Sequence, residues 1–386
     1  MARSFFIAKS VPTDICAPID LPIASIISVN PVETRTVKCP YSPHPQRDLH
    51  ALGEYLIQRH RQAITAASMD GSAFAGALPF KWQTDFDFPL FNGWKYNQDG
   101  KEYERNILVV IPGKNRGEAI VMGDHYDTAY MEDSYAKERG GDGARIAAPG
   151  ADDNASATAT LLQAAPIFLS LAQEGKLERD VWLLHLTGEE FPSDCMGARV
   201  FCQALIEKTL KLQIGTDQWI DLSATRVVGV LVMDMIGHNR DSAQNIFQIS
   251  PGKTTASLHL AWQAHLANLI WNAESVEWNQ RADRRWPGQC STDSLTLPEI
   301  ARHLPLEGEV RTSDDPASSV FNTDVQIFSD IGAPAILVME DYDIDRTGYH
   351  DSKDTLANID LDYGAALSAV CIETLARAAL LPKMTP

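Results

Sequence analysis

The 386-residue sequence lacks long hydrophobic runs and contains few cysteines and few basic residues. No apolar segment approaches the roughly 20 residues that a membrane-spanning helix needs. The six cysteines form no C-x-x-C pair and are too sparse for a disulfide scaffold in a chain of this length. Only 33 Lys and Arg oppose 51 Asp and Glu, which gives a net charge of −18. Because such a surface repels phosphate backbones and anionic lipids, we expect neither a nucleic-acid nor a membrane partner.

Several motifs of common enzyme classes are also absent. The sequence has no G-x-x-x-x-G-K-[ST] phosphate loop, no G-x-G-x-x-G fingerprint, no H-E-x-x-H and no G-x-S-x-G elbow.

No signal-peptide pattern is present at the amino terminus, because Lys9 interrupts its first apolar stretch and Pro22 the next. We therefore expect a cytoplasmic protein; an exported or periplasmic protein is the alternative if the sequence is a trimmed form.

What is present is an ordinary globular composition, 45% apolar and 22% charged. Five short apolar runs are continuous rather than alternating, which is typical of strands buried on both faces. They lie at 107–111, 119–122, 181–184, 227–233 and 335–339. Helical patterns at about 154–174, 196–212, 254–273 and 363–381 separate or follow them. This alternation predicts a three-layer α/β/α sandwich with a mixed, mostly parallel central sheet.

The chain divides into an amino-terminal extension and one larger domain. Residues 1–45 are rich in Pro and Ser and show no sustained period, so we expect an irregular extension. A helical pattern at 47–67 opens a single larger domain over residues 46–386. A lid or insertion is expected at about 275–320, where a basic and aromatic group stands, namely Arg281, Arg284, Arg285 and Trp286.

Histidines and acids follow the buried runs, and another acidic pair precedes a predicted helix. In parallel sheets ligands bind beyond the carboxyl ends of the strands, so these side chains are expected to converge. They are His125, Asp127, Asp152, Asp153, Glu189, Glu190, Asp234 and His350. Each has a simpler interpretation by itself. A loop histidine, a helix cap or a solvated Glu-Glu pair would each explain one member.

Together, these residue types suit a metal centre. Imidazole nitrogen and carboxylate oxygen are ligands for Zn²⁺, and catalytic sites keep a position open for water. Two metals about 3.5–4 Å apart can share a bridging carboxylate. A further carboxylate that binds no metal can then serve as the general base.

Five segments in order over about residues 105–380 resemble the M28 family of zinc peptidases, which includes bacterial aminopeptidases. A sixth, 322–324 followed by 332–335, is similar to the family pattern as well. The five segments are His125-Tyr126-Asp127, 150–156, Gly188-Glu189-Glu190, Met233-Asp234-Met235 and 350–356.

The resemblance implies a role for each matching residue. His125 and Asp234 would bind one zinc, Glu190 and His350 the other, and Asp153 would bridge them. Glu189 would be the general base and Asp127 would orient His125 through its other ring nitrogen. The resemblance also implies a cis peptide bond after Asp153. The implied enzyme is a di-zinc hydrolase, most simply an aminopeptidase that acts on short peptides.

The sequence also departs from the family pattern. The segment 191–199 after Glu190 is longer than usual, and residues 318–322 hold no tyrosine where some aminopeptidases have one. The loop 340–345 carries four carboxylates. We consider that they bind the protonated amino terminus of a substrate. His185 is interpreted as a core residue, whereas His238 is considered for the cleft.

Two other functions stay open at this point. A glutaminyl cyclase has the same fold and uses a single zinc for an intramolecular acyl transfer, and the segment 231–237 has some of that character. A non-catalytic binding module on the same fold is the alternative from a different class. The complete set of metal-ligand residues and Glu189 argues against the binding module.

Overall fold

The computed structural model describes residues 45–81, 103–143, 146–191, 193–285, 303–343 and 345–380. Over these residues the helices are α1 (Pro45–Ala66), α2 (Glu132–Tyr135), α3 (Ala157–Gln173), α4 (Met196–Glu207), α5 (Thr255–Arg285), α6 (Val325–Asp330) and α7 (Leu361–Leu380). The strands are β1 (Phe74–Lys81), β2 (Tyr103–Ile111), β3 (Asn115–His125), β4 (Arg179–Leu186), β5 (Lys211–Gly215), β6 (Gln218–Asp221), β7 (Arg226–Asp234), β8 (Ile246–Pro251), β9 (Glu307–Val310) and β10 (Ala335–Glu340).

All of these strands join one mixed sheet, in the order β6-β5-β1-β2-β4-β3-β7-β10-β8-β9. Its centre is parallel, because β3 pairs in parallel with β4 and β7, and β10 pairs in parallel with β7. The strands β1, β2, β5 and β6 on one side pair antiparallel, as does β8 with β10 on the other. The predicted α/β/α sandwich with a mixed sheet is confirmed, and its parallel part is the region that carries the candidate site.

The buried apolar runs explain the three layers. Every position of β4 is buried. Its neighbouring side chains alternate between faces: Leu183 belongs to the buried cluster that includes residues of α1, α3, α5 and α7, whereas Trp182 belongs to the cluster that includes residues of α4 and α6. A strand covered by helices on both faces gains from apolar side chains at every position, which is the pattern that the sequence shows.

Some predicted boundaries were wrong. The helix predicted at 196–212 ends at Glu207, where Lys208 takes a left-handed conformation (φ 55°), and Lys211–Gly215 is a strand. Residues 275–285 of the predicted insertion continue α5, and 307–310 form β9 at the sheet edge. Residues 1–44 and 286–302, with Trp286, lie outside the described residues, as do the side chains of the three arginines, so the extension and the lid stay predictions.

Two core helices are apolar enough to resemble membrane spans. The segments Ala151–Gln173 and Leu361–Leu380 pass by length and composition, although the sequence suggested no such run. About half or more of each window, 50% and 61%, is buried inside the protein. Both helices pack on the sheet with other helices, which is sufficient to explain their composition.

Two buried histidines join α1 to the sheet. His185 Nδ1 lies 2.8 Å from an Asp124 carboxylate oxygen, and its Nε2 lies 2.9 Å from Nε2 of His60. His185 is therefore the hydrogen-bonded core residue that the sequence suggested. Burial lowers the pKa of His60 well below its usual value, and the neighbouring His185 and Arg59 lower it further.

We predict that His60 makes folding stability sensitive to acid. Because its pKa is lower in the folded state than in the unfolded state (about 6.5), the folded protein binds fewer protons. The associated stability is present above pH 6.5 and is lost as the pH falls below it. His60→Gln should reduce the slope of unfolding free energy against pH by up to about 1.4 kcal/mol per pH unit.

Urea unfolding between pH 7 and 5 measures that slope. His259→Gln, at an exposed histidine of α5, is the matched control and should leave the slope unchanged. An identical slope for the parent protein and His60→Gln would contradict the assignment.

Candidate metal centre

The central strands deliver three of the candidate ligands to one edge of the sheet. His125 is the last residue of β3, Asp234 is the last residue of β7, and Glu190 follows β4 by four residues. Because these strands are parallel neighbours, their carboxyl ends meet at that edge. Asp153 arrives from the turn Ala151–Ser156 before α3, and His350 from the loop after β10.

The five side chains form two groups that share Asp153. Oδ1 of Asp153 lies 3.2 Å from Nε2 of His125, which also lies 3.3 Å from Asp234 Oδ1. Oδ2 of Asp153 lies 3.1 Å from Nε2 of His350, which also lies 3.3 Å from Glu190 Oε2. Each group of three keeps its ligand atoms within 4.8 Å of one another. One carboxylate therefore presents one oxygen to each group.

Asp127 contacts His125 differently from the prediction. The closer partner of His125 Nδ1 is the main-chain oxygen of Asp127 at 3.2 Å, whereas its carboxylate lies 3.8 Å away. That carboxylate instead accepts hydrogen bonds from the backbone N–H groups of Glu189 and Glu190, at 3.2 and 3.3 Å. Asp127 thus fixes the turn that carries the two glutamates while its backbone orients His125.

The turn that holds Asp153 rests on a buried ionic network. The backbone N–H groups of Asp152 and Asp153 donate to the Asp354 carboxylate at 2.8 and 3.1 Å. Asp152 accepts from Gly237 N–H at 2.8 Å and pairs with Arg346. The peptide bond between Asp153 and Asn154 is cis, as the family resemblance implied. Arg346 lies in the His350 loop. It also pairs with Glu340 at 3.0 Å, so it joins that loop both to this turn and to the end of β10.

The site holds an excess of buried carboxylates whose negative charge cations would compensate. Burial, reinforced by neighbouring carboxylates, raises the pKa of Glu189 and of Glu190 well above their usual range. Burial also acts to raise the pKa of Asp153, but hydrogen bonds with His125 and His350 prevail and lower it. Glu190 Oε1 is buried without a hydrogen-bond partner. Crowded carboxylates with imidazole nitrogens and an unpaired oxygen fit a divalent metal such as zinc.

Asp324 is a further acid of this cluster. It is 1% exposed, and neither of its carboxylate oxygens has a hydrogen-bond partner. Burial raises its pKa to about 8, and the charges of Asp127 and Asp234 add to the shift, whereas His125 opposes it. The sequence analysis noted the segment 322–324 only as a family pattern. A lone Asp at the start of a short helix gave no sign that it would be buried beside three other acids.

A cavity of about 280 Å³ opens beside the two groups. Its walls combine acids with large apolar and aromatic side chains. The apolar side chains include Phe191, Met235, Phe321 and Met339, and the tyrosines are Tyr342 and Tyr349. Ser319, Phe321 and Asn322 of the segment 318–322 line it, and the tyrosines among the described lining residues are Tyr342 and Tyr349. Sequence reasoning did not identify them because nothing in the loop fixes which side chains point inward.

The contacts of the acidic loop 340–345 do not support its suggested role in binding a substrate amino terminus. Asp341 pairs with Arg240 and Arg311, and Asp343 also pairs with Arg240. Glu340 is buried against Arg346 and accepts from the backbone N–H of His238 at 2.9 Å. These carboxylates are used inside the protein, and none of them lines the cavity. His238 bonds to the Asn358 carbonyl and is likewise absent from the lining.

Comparisons with known proteins agree with this geometry. Residues 106–284 match the family model described as Peptidase family M28. No curated protein shows a significant match to the sequence. The aminopeptidase LapA of Legionella pneumophila has a similar structure, with a TM-score of 0.51, 14% identity and coverage of 85% of this chain. The chain spans 64% of the length of that protein.

Two other solved structures can be superposed on much of the chain. The glutaminyl cyclase of Bacteroides thetaiotaomicron gives a TM-score of 0.51 at 14% identity, with coverage of 87% of this chain and 91% of that one. BSAP, a zinc aminopeptidase from Bacillus subtilis, gives 0.45 at 15% identity, with 74% and 52% coverage. At such identities the similarity concerns the fold, so the chemistry must be argued from this chain's own residues.

Removal of Arg346 should destabilise the protein strongly. Arg346→Met leaves the buried carboxylates of Asp152 and Glu340 without their cation, which we expect to cost about 3–5 kcal/mol of unfolding free energy. Arg240→Met breaks ion pairs of a partly exposed arginine (35%) and should cost less than about 1 kcal/mol. Urea denaturation in the presence of a chelator measures both, and equal costs would contradict the importance of the buried network.

Proposed function

Residues 106–284 match the model of peptidase family M28, and from this premise we propose that the chain is a zinc-dependent exopeptidase with two metal ions. Its activity would be the removal of amino-terminal residues from short peptides. The observation that carries the proposal is the division of the Asp153 carboxylate between two ligand groups, each completed by one histidine and one further acid. His125 and Asp234 would hold one ion, and Glu190 and His350 the other.

Glu189 is the general base in this proposal. It is adjacent to Glu190 but is only half-buried, and it lines the cavity beside His125. When bound, the divalent cations would polarise the scissile carbonyl and acidify the attacking water. The Glu189 carboxylate takes a proton from that water and returns it to the leaving amine. Asp127 fixes the direction of Glu189 by accepting its backbone N–H.

The charge of the cavity favours a free amino terminus in the substrate. Five acids line it, namely Asp153, Glu189, Glu190, Asp194 and Asp234, and no Lys or Arg stands among the described lining residues. Asp153, Glu190 and Asp234 would be occupied by the metals, so Glu189 and Asp194 would attract a protonated α-amino group, whereas no described lining Lys or Arg would pair with a terminal carboxylate. This asymmetry supports an aminopeptidase over a carboxypeptidase, with a small peptide as the substrate.

The number of bound metals is the first test. Protein loaded with zinc and dialysed should retain two equivalents, measured by plasma mass spectrometry. Asp153→Ala removes the acid common to both groups and should lose both equivalents, whereas Asp234→Ala should lose one. Asp241→Ala, at an exposed acid outside the site, should keep two. Two equivalents retained in Asp153→Ala would refute the bridging role.

The role of Glu189 is the second test. Glu189→Gln should lower kcat on aminoacyl-nitroanilides and dipeptides by about 10²–10⁴-fold, because the proton acceptor is lost, while both metal equivalents remain. The same substrates with an acetylated amino group serve as the control and should resist the parent enzyme. Normal turnover by Glu189→Gln would exclude it as the base.

A glutaminyl cyclase is the alternative that the fold comparison keeps open, since that structure covers nearly the whole chain. It would reveal itself by one metal equivalent and by cyclisation of peptides with amino-terminal glutamine. No turnover of either substrate class by zinc-loaded protein would favour the binding module.

A further inference from the structure

A short acidic segment, Glu132 and Asp133 at the start of α2, contacts the loop that carries His350. The backbone N–H of Glu132 donates to the His350 carbonyl at 2.8 Å. Its Oε1 lies 3.8 Å from Nδ1 of His350, and its Oε2 lies 3.7 Å from exposed Arg139. Glu132 therefore touches both the backbone and the ring of the histidine.

Asp133 contacts the same loop two residues later. Its Oδ1 accepts from the backbone N–H of Ser352 at 3.1 Å, and its Oδ2 accepts from the Ser352 hydroxyl at 2.6 Å. Two neighbouring acids thus contact His350 itself and Ser352, two residues after it. The contact spans more than 200 residues of sequence, so it exists only in the folded chain.

His350 needs such external support more than the other ligands do. It has a left-handed backbone (φ 49°) and lies in a loop rather than at a strand end. Its side chain is 20% exposed, whereas that of His125 is 1% exposed. One face of its ring stacks on Tyr349, with centroids 3.9 Å apart and planes 20° apart. Stacking defines the plane of the ring but leaves its rotation within that plane to polar contacts.

The two histidines share part of their surroundings, although Nδ1 of His125 also has the Asp127 main-chain oxygen at 3.2 Å. The Nε2 atom of each lies about 3 Å from Asp153 and from a second acid, and the Nδ1 atom of each lies 3.8 Å from a carboxylate oxygen, of Asp127 or of Glu132. An acid near Nδ1 favours the tautomer that carries its proton there, which leaves the Nε2 lone pair free for a metal.

We propose that Glu132 and Asp133 are positioning residues that hold His350 in its ligating orientation and tautomer. The inference rests on the proposed function, because it assumes that the group of Asp153, Glu190 and His350 binds a metal. Neither acid belongs to that group, and neither lines the cavity.

Metal titration of the 386-residue chain tests the proposal. Glu132→Gln keeps the backbone donor and nearly the same shape but removes the charge, and Asp133→Asn does the same for the Ser352 contacts. Each should weaken one of the two zinc equivalents by about 10–100-fold in competition with a chromophoric chelator, while the other stays at the parent value. Cobalt substituted at the weakened site should also give an altered visible spectrum. Glu138→Gln, at an exposed acid of the next turn, should match the parent in both readouts.

The outcomes separate this inference from the proposed function. A parent protein that binds no zinc would refute the metal centre itself. A parent that binds two equivalents, with both unchanged in Glu132→Gln and Asp133→Asn, would refute the positioning role alone. Thermal unfolding of the metal-free variants completes the test: a lower stability with unchanged metal affinity would assign the contacts to folding only and overturn the inference.

Discussion

The main electrostatic constraint on the structure is the crowding of buried carboxylates at the carboxyl edge of the central sheet. Asp127, Asp153, Glu190, Asp234 and Asp324 are buried or nearly so, with Glu189 beside them. Such a group is unfavourable in a low dielectric unless each charge finds a proton, a donor or a cation. The raised pKa values of Glu189, Glu190 and Asp324 express the part of this demand that the described residues leave unmet.

The partners of these buried carboxylates lie in two places, beneath the site and at the site itself. Beneath the site, backbone N–H groups donate to Asp152, Glu340 and Asp354, and Arg346 pairs with Asp152 and Glu340, so that one cation compensates part of the charge of three acids. At the site itself the imidazoles of His125 and His350 are the nearest partners, and oxygen atoms of Glu190 and Asp324 stay unpaired. A site with unpaired carboxylate oxygens is suited to divalent cations.

Much of the fold and the candidate site followed from the sequence because both depend on local signals. Continuous apolar runs such as 181–184 identify strands buried on both faces, and the residues after them must lie at one edge when the strands are parallel. The five ligand candidates were therefore predictable as a set. The boundaries were less so: 208–215 turns from helix to strand, and 275–285 extends α5, because tertiary packing overrides weak local preference at such places.

The sequence alone determined the layer architecture, since it follows from the pattern of apolar runs, and it named five ligand candidates that the structure brings together, although their assignment to two metal ions came from the family resemblance. Only the tertiary structure decided which acids of the 340–345 loop are consumed by arginines, that Asp324 is buried beside the site, that Tyr342 and Tyr349 face the cavity, and that Glu132 reaches His350. These outcomes depend on contacts between segments far apart in the chain, where side-chain direction is set by packing and not by neighbours in sequence.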